Sequence, residues 1–420
     1  MNRATTEHSI SATSHSTASA ATLRRAATAW AEPMVDFAQR LVRTPSPSGH
    51  EETVAQLLAD EFRRLGYDDV WIDRAGNAIG VVKGTGSGTS LQFNTHLDHV
   101  SAGDPALWSR PAFDGTIQDG VLFGRGACDV KGAMAAQAYL IPVLRDAGYR
   151  LDGDVFVVGV VLEEVGGFGS RYLAQTQPTD IAVVGEASGN QLRRGHCGRS
   201  LVRVTFTGQS THASAPERGR NPHFAVARFL LELESLAMEP DATFGGSSAA
   251  PTLIETDQTS GNVTPGSVSV FLDWRTVPSE TEDAVIAKLD PLLRRVEESV
   301  EGVRGNAEPV GRPVRSYTGM TATMPSTRGF ETAADDLVLA RARVGLENAL
   351  GRPVTDGTWT FATDGGHLSH HGITTIGFAP GEERFAHTIH DQCDIAKMHE
   401  ALLGNAALAL DLTRLPKKDR

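Results

Sequence analysis

The sequence predicts an α/β protein in which a mainly parallel sheet, flanked by helices, is interrupted by a smaller inserted domain of order β-α-β-β-α-β. Three observations predict it. From Ala78 to Ser188 short apolar segments alternate with helical patterns, and the segments are apolar along their whole length, as strands buried on both faces must be. Around Gly198 the pattern switches to period-two alternation (SLVRVTFTG), the mark of a strand buried on one face only. From about Pro325 the α/β character returns.

In chain order, residues 1–21 are rich in Ser, Thr and Ala without an apolar core, and read as a disordered tail. Residues 22–65 hold two helical patterns separated by TPSPSGHE, with Ser48 or His50 starting the second. Strands follow at AIGVVK and SLQFNTHLD, then a helix through GAMAAQAYLIPVLRDAG, then strands VFVVGVVLEE and IAVVGEAS with one more helix between them. The inserted unit reads as the strand SLVRVTFTG, a helix over about residues 222–238, strands near TLIETDQ and at SVSVFLDWR, a helix through EDAVIAKLDPLLRRVEESV and a final extended stretch near PVRSYTGMTA. That order is ferredoxin-like. The helix ETAADDLVLARARVGLENAL, the strands TWTFAT and TTIGFAP, and a helix from about Ala396 complete the chain. The larger domain is thus expected over residues 22–197 and 324–420, with the insertion at 198–323.

A chain of 420 residues is long enough for two domains. Its formal net charge of -12 argues against nucleic acid or an anionic membrane as partner, since both require a basic footprint, and is compatible with cations. No run approaches the ~20 apolar residues of a membrane helix, and no secretory signal is apparent. Cys128, Cys197 and Cys393 are far apart and form no CxxC pair, so neither a disulfide framework nor a cysteine zinc site is indicated and a reducing cytoplasm is the expected compartment.

Chemistry-bearing residues gather at predicted strand ends. His96 and Asp98 lie two apart in SLQFNTHLDHV, on one side of a strand, so the Asp98 carboxylate is expected to hold one imidazole nitrogen while the other faces a metal. Asp129 sits in a glycine-flanked turn before a helix, where an N-cap is the bland alternative. Glu163, Glu164 and Glu186 occupy two further strand ends. Like charges gathered in a cleft repel one another unless a cation is present. A further nitrogen donor is available in GEERFAHTIHDQCD as His387 or His390, followed by Asp391.

NTHLDHV, GRGACDVKG, LEEVGG, GEAS and AHTIHD, in this order, resemble the motifs of the dinuclear zinc amidohydrolases and peptidases, the family of acetylornithine deacetylase, succinyl-diaminopimelate desuccinylase, aminoacylase and the glutamate carboxypeptidases. The resemblance runs from about Val42 to the C-terminus. It implies two Zn2+ per subunit, with cobalt or manganese as substitutes: Asp129 bridging, His96 and Glu186 on one ion, Glu164 and His387 on the other. It implies Glu163 as general base and Asp98 as its supporting acid. The insertion becomes a lid and dimerisation domain of a homodimer, with His212 reaching the partner subunit's site and Asn262 and Arg275 contacting substrate. Gly365 and Gly366 resemble a backbone loop lining the substrate pocket. The implied activity is hydrolysis of an N-acylated amino acid or related small carboxylate-bearing amide, with a dipeptidase or carboxypeptidase as the alternative. Two departures stand out: Thr95 replaces the glycine common before HxD, and His390 and Asp391 occupy the last two positions of the usual HTPxE.

Overall fold

The computed structural model describes residues 16–417. Residues 1–15 of the expected tail lie outside that range, and its last residues are helical: α1 spans Ser16–Val42. Leu23, Ala27, Met34, Phe37, Ala38 and Leu41 fall on one stripe of α1 and enter the core, as 3.6-residue periodicity requires. Helix α2 (Glu52–Arg64) begins just after the SPSGHE turn.

The main sheet starts with β1 (Asp69–Ile72), β2 (Ala78–Val82) and β3 (Leu91–His96). The segment GAMAAQAYLIPVLRDAG forms two helices, α3 (Gly132–Ala138) and α4 (Leu140–Asp146). Then come β4 (Val155–Val160), α5 (Phe168–Thr176), β5 (Ile181–Val184) and the short β6 (Leu192–Arg193). In β4, Val155 and Val157 join the core beneath one face while Phe156, Val158 and Val160 join a second cluster on the other. Alternate side chains of one strand thus meet helices on both sides, which is why its sequence is apolar without alternation.

The insertion carries β7 (Gly198–Thr207), α6 (His223–Glu234), β8 (Ser248–Thr256), β9 (Ser267–Thr276), α7 (Glu282–Ser299) and β10 (Arg304–Pro309). Its four strands lie in the antiparallel order β8-β9-β7-β10. Val202, Val204, Phe206, Val270, Leu272 and Trp274 pack on Phe229, Leu289 and Leu293 as a separate core. The expected fourth strand near PVRSYTGMTA is displaced. The ladder partner of β7 is residues 304–309, while Arg312–Arg315 pairs with Thr321–Met324 in a ribbon of its own.

The chain returns through α8 (Leu337–Leu350), β11 (Asp356–Gly357), α9 (Gly365–His370), β12 (Thr374–Gly377) and α10 (Ile395–Leu412). The sheet order is β1-β2-β4-β3-β5-β12-β6-β11. Its centre, β4-β3-β5-β12, is parallel, whereas β1, β2 and β4 pair antiparallel at one edge. TWTFAT does not form the expected strand. Trp359 instead lies across Gly377 of β12, where a β-carbon would come within 2.1 Å of its ring, and donates its indole N–H to the Ala187 carbonyl at 3.0 Å. Among the described residues no helix is long and apolar enough to cross a membrane.

Candidate metal centre

The carboxyl ends of the central parallel strands converge on one edge of the sheet, the place where such sheets assemble ligands. His96 closes β3, Glu163 and Glu164 follow the end of β4, and Glu186 follows the end of β5. Asp129 stands in the turn before α3, and His387, in the left-handed region at φ 60°, comes from the loop before α10. His96 Nε2 lies 2.8 Å from Asp129 Oδ1 and 3.5 Å from Glu186 Oε1. His387 Nε2 lies 3.0 Å from Asp129 Oδ2 and 3.0 Å from Glu164 Oε2. The two oxygens of one carboxylate therefore face two different histidines, and each histidine has its own second carboxylate.

This donor set fits a pair of divalent cations. Imidazole nitrogen and carboxylate oxygen suit zinc, and Asp129 is placed to be shared between two positions. Donor atoms of His96, Asp129 and Glu164 lie within 4.8 Å of one another, as do those of His96, Glu163 and Glu186. Of the two loop histidines it is His387 that the fold brings to the cluster; His390 lines a small crevice beside Trp108 and Arg110.

The support beneath this cluster differs from the expectation at Asp98. His96 Nδ1 meets the Asp98 backbone carbonyl at 2.9 Å, and the nearest Asp98 carboxylate oxygen is 3.6 Å away. The reason is local: the chain leaves the sheet at His96, so the alternation that aligns residues two apart no longer applies. The carboxylate turns to the neighbouring strand end, accepting the Ser48 hydroxyl at 2.7 Å and the backbone N–H groups of Glu163 and Glu164 at 3.1 and 3.2 Å. A second buried acid, Glu51, accepts the N–H of Leu162 at 3.2 Å, holding the left-handed residue that precedes the pair. Asp391 lies under the GRGACD turn, taking N–H groups from Gly126 and Cys128 and the Arg125 guanidinium at 2.7, 2.8 and 3.0 Å. Glu51 and Asp364 were not among the candidates, and nothing in their local sequence separates a buried support from a solvated acid, whereas Asp391 was marked only by its position in the tail motif.

Electrostatics follow the geometry. Burial alone would raise the Asp129 carboxyl, but the His387 and His96 contacts together outweigh it and hold it below the usual carboxylate range. Contacts with Asp129 and Glu164 push His387 up to about 10. Burial pushes Glu163 well up, against the pull of His96 and with the help of Asp364. Asp364, buried and accepting the Ser170 hydroxyl at 2.8 Å, is itself raised to about 7, chiefly by burial.

A cleft of about 580 Å³ runs from this cluster to the inserted sheet, lined by Glu163, Asp364, His367, Arg199, Arg275 and Arg312 among others. Arg275 both lines it and pairs with Asp273 at 2.8 Å. Residues 361–364 line the cleft, while Gly365 and Gly366 pack beneath it. A β-carbon on Gly366 would stand 2.1 Å from the Arg328 carbonyl. His212 and Asn262 are neighbours on an exposed two-stranded ribbon and do not line this cleft.

The profile of peptidase family M20/M25/M40 matches residues 92–410. The uncharacterized protein YgeY of Escherichia coli is 29% identical over 379 residues, covering 86% of this chain and 89% of its own length. Among solved structures, aminopeptidase PepT from Bacillus cereus is similar with a TM-score of 0.73 at 20% identity, covering 91% of this chain and 99% of that one. The Bacillus subtilis protein YXEP, described as a dinuclear metal binding peptidase from the M20 family, gives 0.70 at 14% identity, covering 92% and 99%. Since the profile spans most of its length, the chain belongs to peptidase family M20/M25/M40 and is a hydrolase acting on C–N bonds.

Proposed function

We propose that this hydrolase cleaves the amide bond of an N-acylated amino acid or related small carboxylate-bearing amide, with two Zn2+ per subunit as cofactor. The observation that carries the reading is the division of Asp129, whose two oxygens face His96 and His387 at 2.8 and 3.0 Å. His96, Asp129 and Glu186 would hold one ion, and His387, Asp129 and Glu164 the other. When bound, such a pair supplies Lewis acidity, acidifying the attacking water and polarising the scissile carbonyl. Glu163 lines the cleft, with its carboxylate within 4.8 Å of the His96 and Glu186 donors and so beside the water that such an ion would hold. Its carboxylate takes the proton of the attacking water as the C–O bond forms, then delivers it to the amine nitrogen as the C–N bond breaks. Asp98 supports this role by fixing the backbone of Glu163 and Glu164. Arg275 reads the substrate carboxylate through paired N–H donors.

We place a second copy of the chain against the inserted domain. Strand β8 is an edge strand exposed along nearly its whole length, with Leu253 and Ile254 each 50% exposed, and Phe224 and Leu231 of α6 in the same domain are exposed at 65% and 69%. An open apolar edge of this kind is a template for pairing. In such a homodimer His212 and Asn262, outside their own cleft, complete the partner's site and stabilise its developing oxyanion. The three cysteines are thiols, in keeping with a cytoplasmic protein.

Screening metal-loaded enzyme against N-acyl amino acids and dipeptides tests the substrate reading; hydrolysis of dipeptides alone would replace it with a dipeptidase. Glu163→Gln should lower turnover by about 10² to 10⁴-fold with metal content retained, whereas Glu164→Gln should lower metal content first. Turnover within about tenfold of wild type for Glu163→Gln would remove its assigned role. Metal uptake should depend on pH in a stated direction. The raised pKa of His387 keeps it protonated through neutral pH, a cation must displace that proton, and so apparent affinity should climb with pH until about 10 and uptake should release protons. An affinity flat between pH 6 and 9 contradicts this. Leu253→Glu should yield monomers by light scattering that keep metal but lose turnover; active monomers would refute the shared site.

A further inference from the structure

The wall of the cleft opposite the acidic cluster is basic, and its charge is not balanced. One face of the inserted sheet packs on α6 and α7 through Val202, Val204, Leu272 and Trp274. The residues between them point to the open face, and at its end Arg199 of β7 stands directly opposite Arg275 of β9 in the antiparallel register. Like charges facing each other across a ladder destabilise it. Asp273 relieves part of the cost, with Oδ2 2.8 Å from Arg199 and Oδ1 2.8 Å from Arg275. A third guanidinium arrives just after β10: Val310 N–H bonds the Leu201 carbonyl at 2.7 Å, and Arg312 follows it along the same cleft. Among the described residues no carboxylate pairs with Arg312. Arg199 and Arg275 therefore share one carboxylate and Arg312 adds a third guanidinium to the same wall, leaving two positive charges in excess. Across the cleft, Asp129 and Glu164 are engaged with His96 and His387 and Asp364 with Ser170 instead.

We infer that the substrate is a dianionic amide, one whose two acidic groups are read separately, the first by Arg275 with Arg199 and the second by Arg312. This deepens the proposed function and rests on it for the identity of the bond cleaved. The second acid belongs to either the amine side, as in an N-acylated dicarboxylic amino acid, or the acyl side, as in an amide of a dicarboxylic acid.

Calorimetry on the metal-loaded full chain in the Glu163→Gln background separates these cases with two matched pairs: N-acetyl-L-glutamate against N-acetyl-L-glutamine, and N-succinyl-L-alanine against N-butyryl-L-alanine. In at least one pair the dianion should bind about tenfold tighter or more, and the pair that shows it names the side. Arg312→Ala should abolish that preference while leaving the monoanion within about twofold, Arg312→Lys should restore part of it, and added salt should shrink it. Binding within about twofold in both pairs would overturn the inference, as would an Arg312→Ala effect equal on dianion and monoanion. Failure of the underlying reading looks different: wild-type enzyme would hydrolyse no amide, whatever the binding preference.

Discussion

The site turns on one carboxylate. Asp129 presents Oδ1 to His96 and Oδ2 to His387, residues that come from a central strand and from a loop near the end of the chain. A single side chain can face two ways only if the turn that carries it is fixed from below and both histidines are fixed from the sides. Asp391 does the first, binding three donors of that turn from a position just past His387. The Asp98 carbonyl does part of the second by holding His96 Nδ1.

That constraint explains why so many acids are buried at one edge of the sheet. Glu51, Asp98, Asp129, Glu186, Asp364 and Asp391 are all buried, and each would be costly as an isolated charge. Apart from Asp364, which accepts the Ser170 hydroxyl, they fall into two groups. Asp129 and Glu186, with the half-buried Glu164, face the histidines, where divalent cations would compensate them. Glu51, Asp98 and Asp391 accept backbone N–H groups, and so convert a charge cost into fixed loop geometry. Glu163 and Glu164 share one clamp at their backbone, yet their side chains have different neighbours, His387 for Glu164 and the His96 and Glu186 donors for Glu163. Adjacent acids at a strand end are thereby given separate surroundings.

Much of this was legible in the sequence because it rests on local pattern. Strands apolar throughout mark a sheet covered on both sides, and the period-two strand at residues 198–207 marks the change to a sheet with one open face. His96, Glu163, Glu164 and Glu186 were legible as a cluster because strand ends in a parallel sheet must converge, whereas Asp129 and the choice of His387 over His390 came from the resemblance to the family's motifs. What was missed depends on tertiary contact. TWTFAT has a strand's composition, but its aromatic residues are buried by lying over Gly377 rather than by pairing. The Asp98 carboxylate was assigned to His96 by a strand rule that stops at the strand's last residue. The supporting acids Glu51 and Asp364 look like surface acids until their distant donors are known, and the place of Arg312 in the cleft becomes visible only once the last ladder of the inserted sheet is set at residues 304–309.

The most direct measurement is anomalous diffraction from crystals of the zinc-loaded chain. The account predicts two anomalous peaks per subunit, with Oδ1 and Oδ2 of Asp129 each about 2.0–2.2 Å from a different ion. A single peak, or both Asp129 oxygens on the same ion, would contradict it.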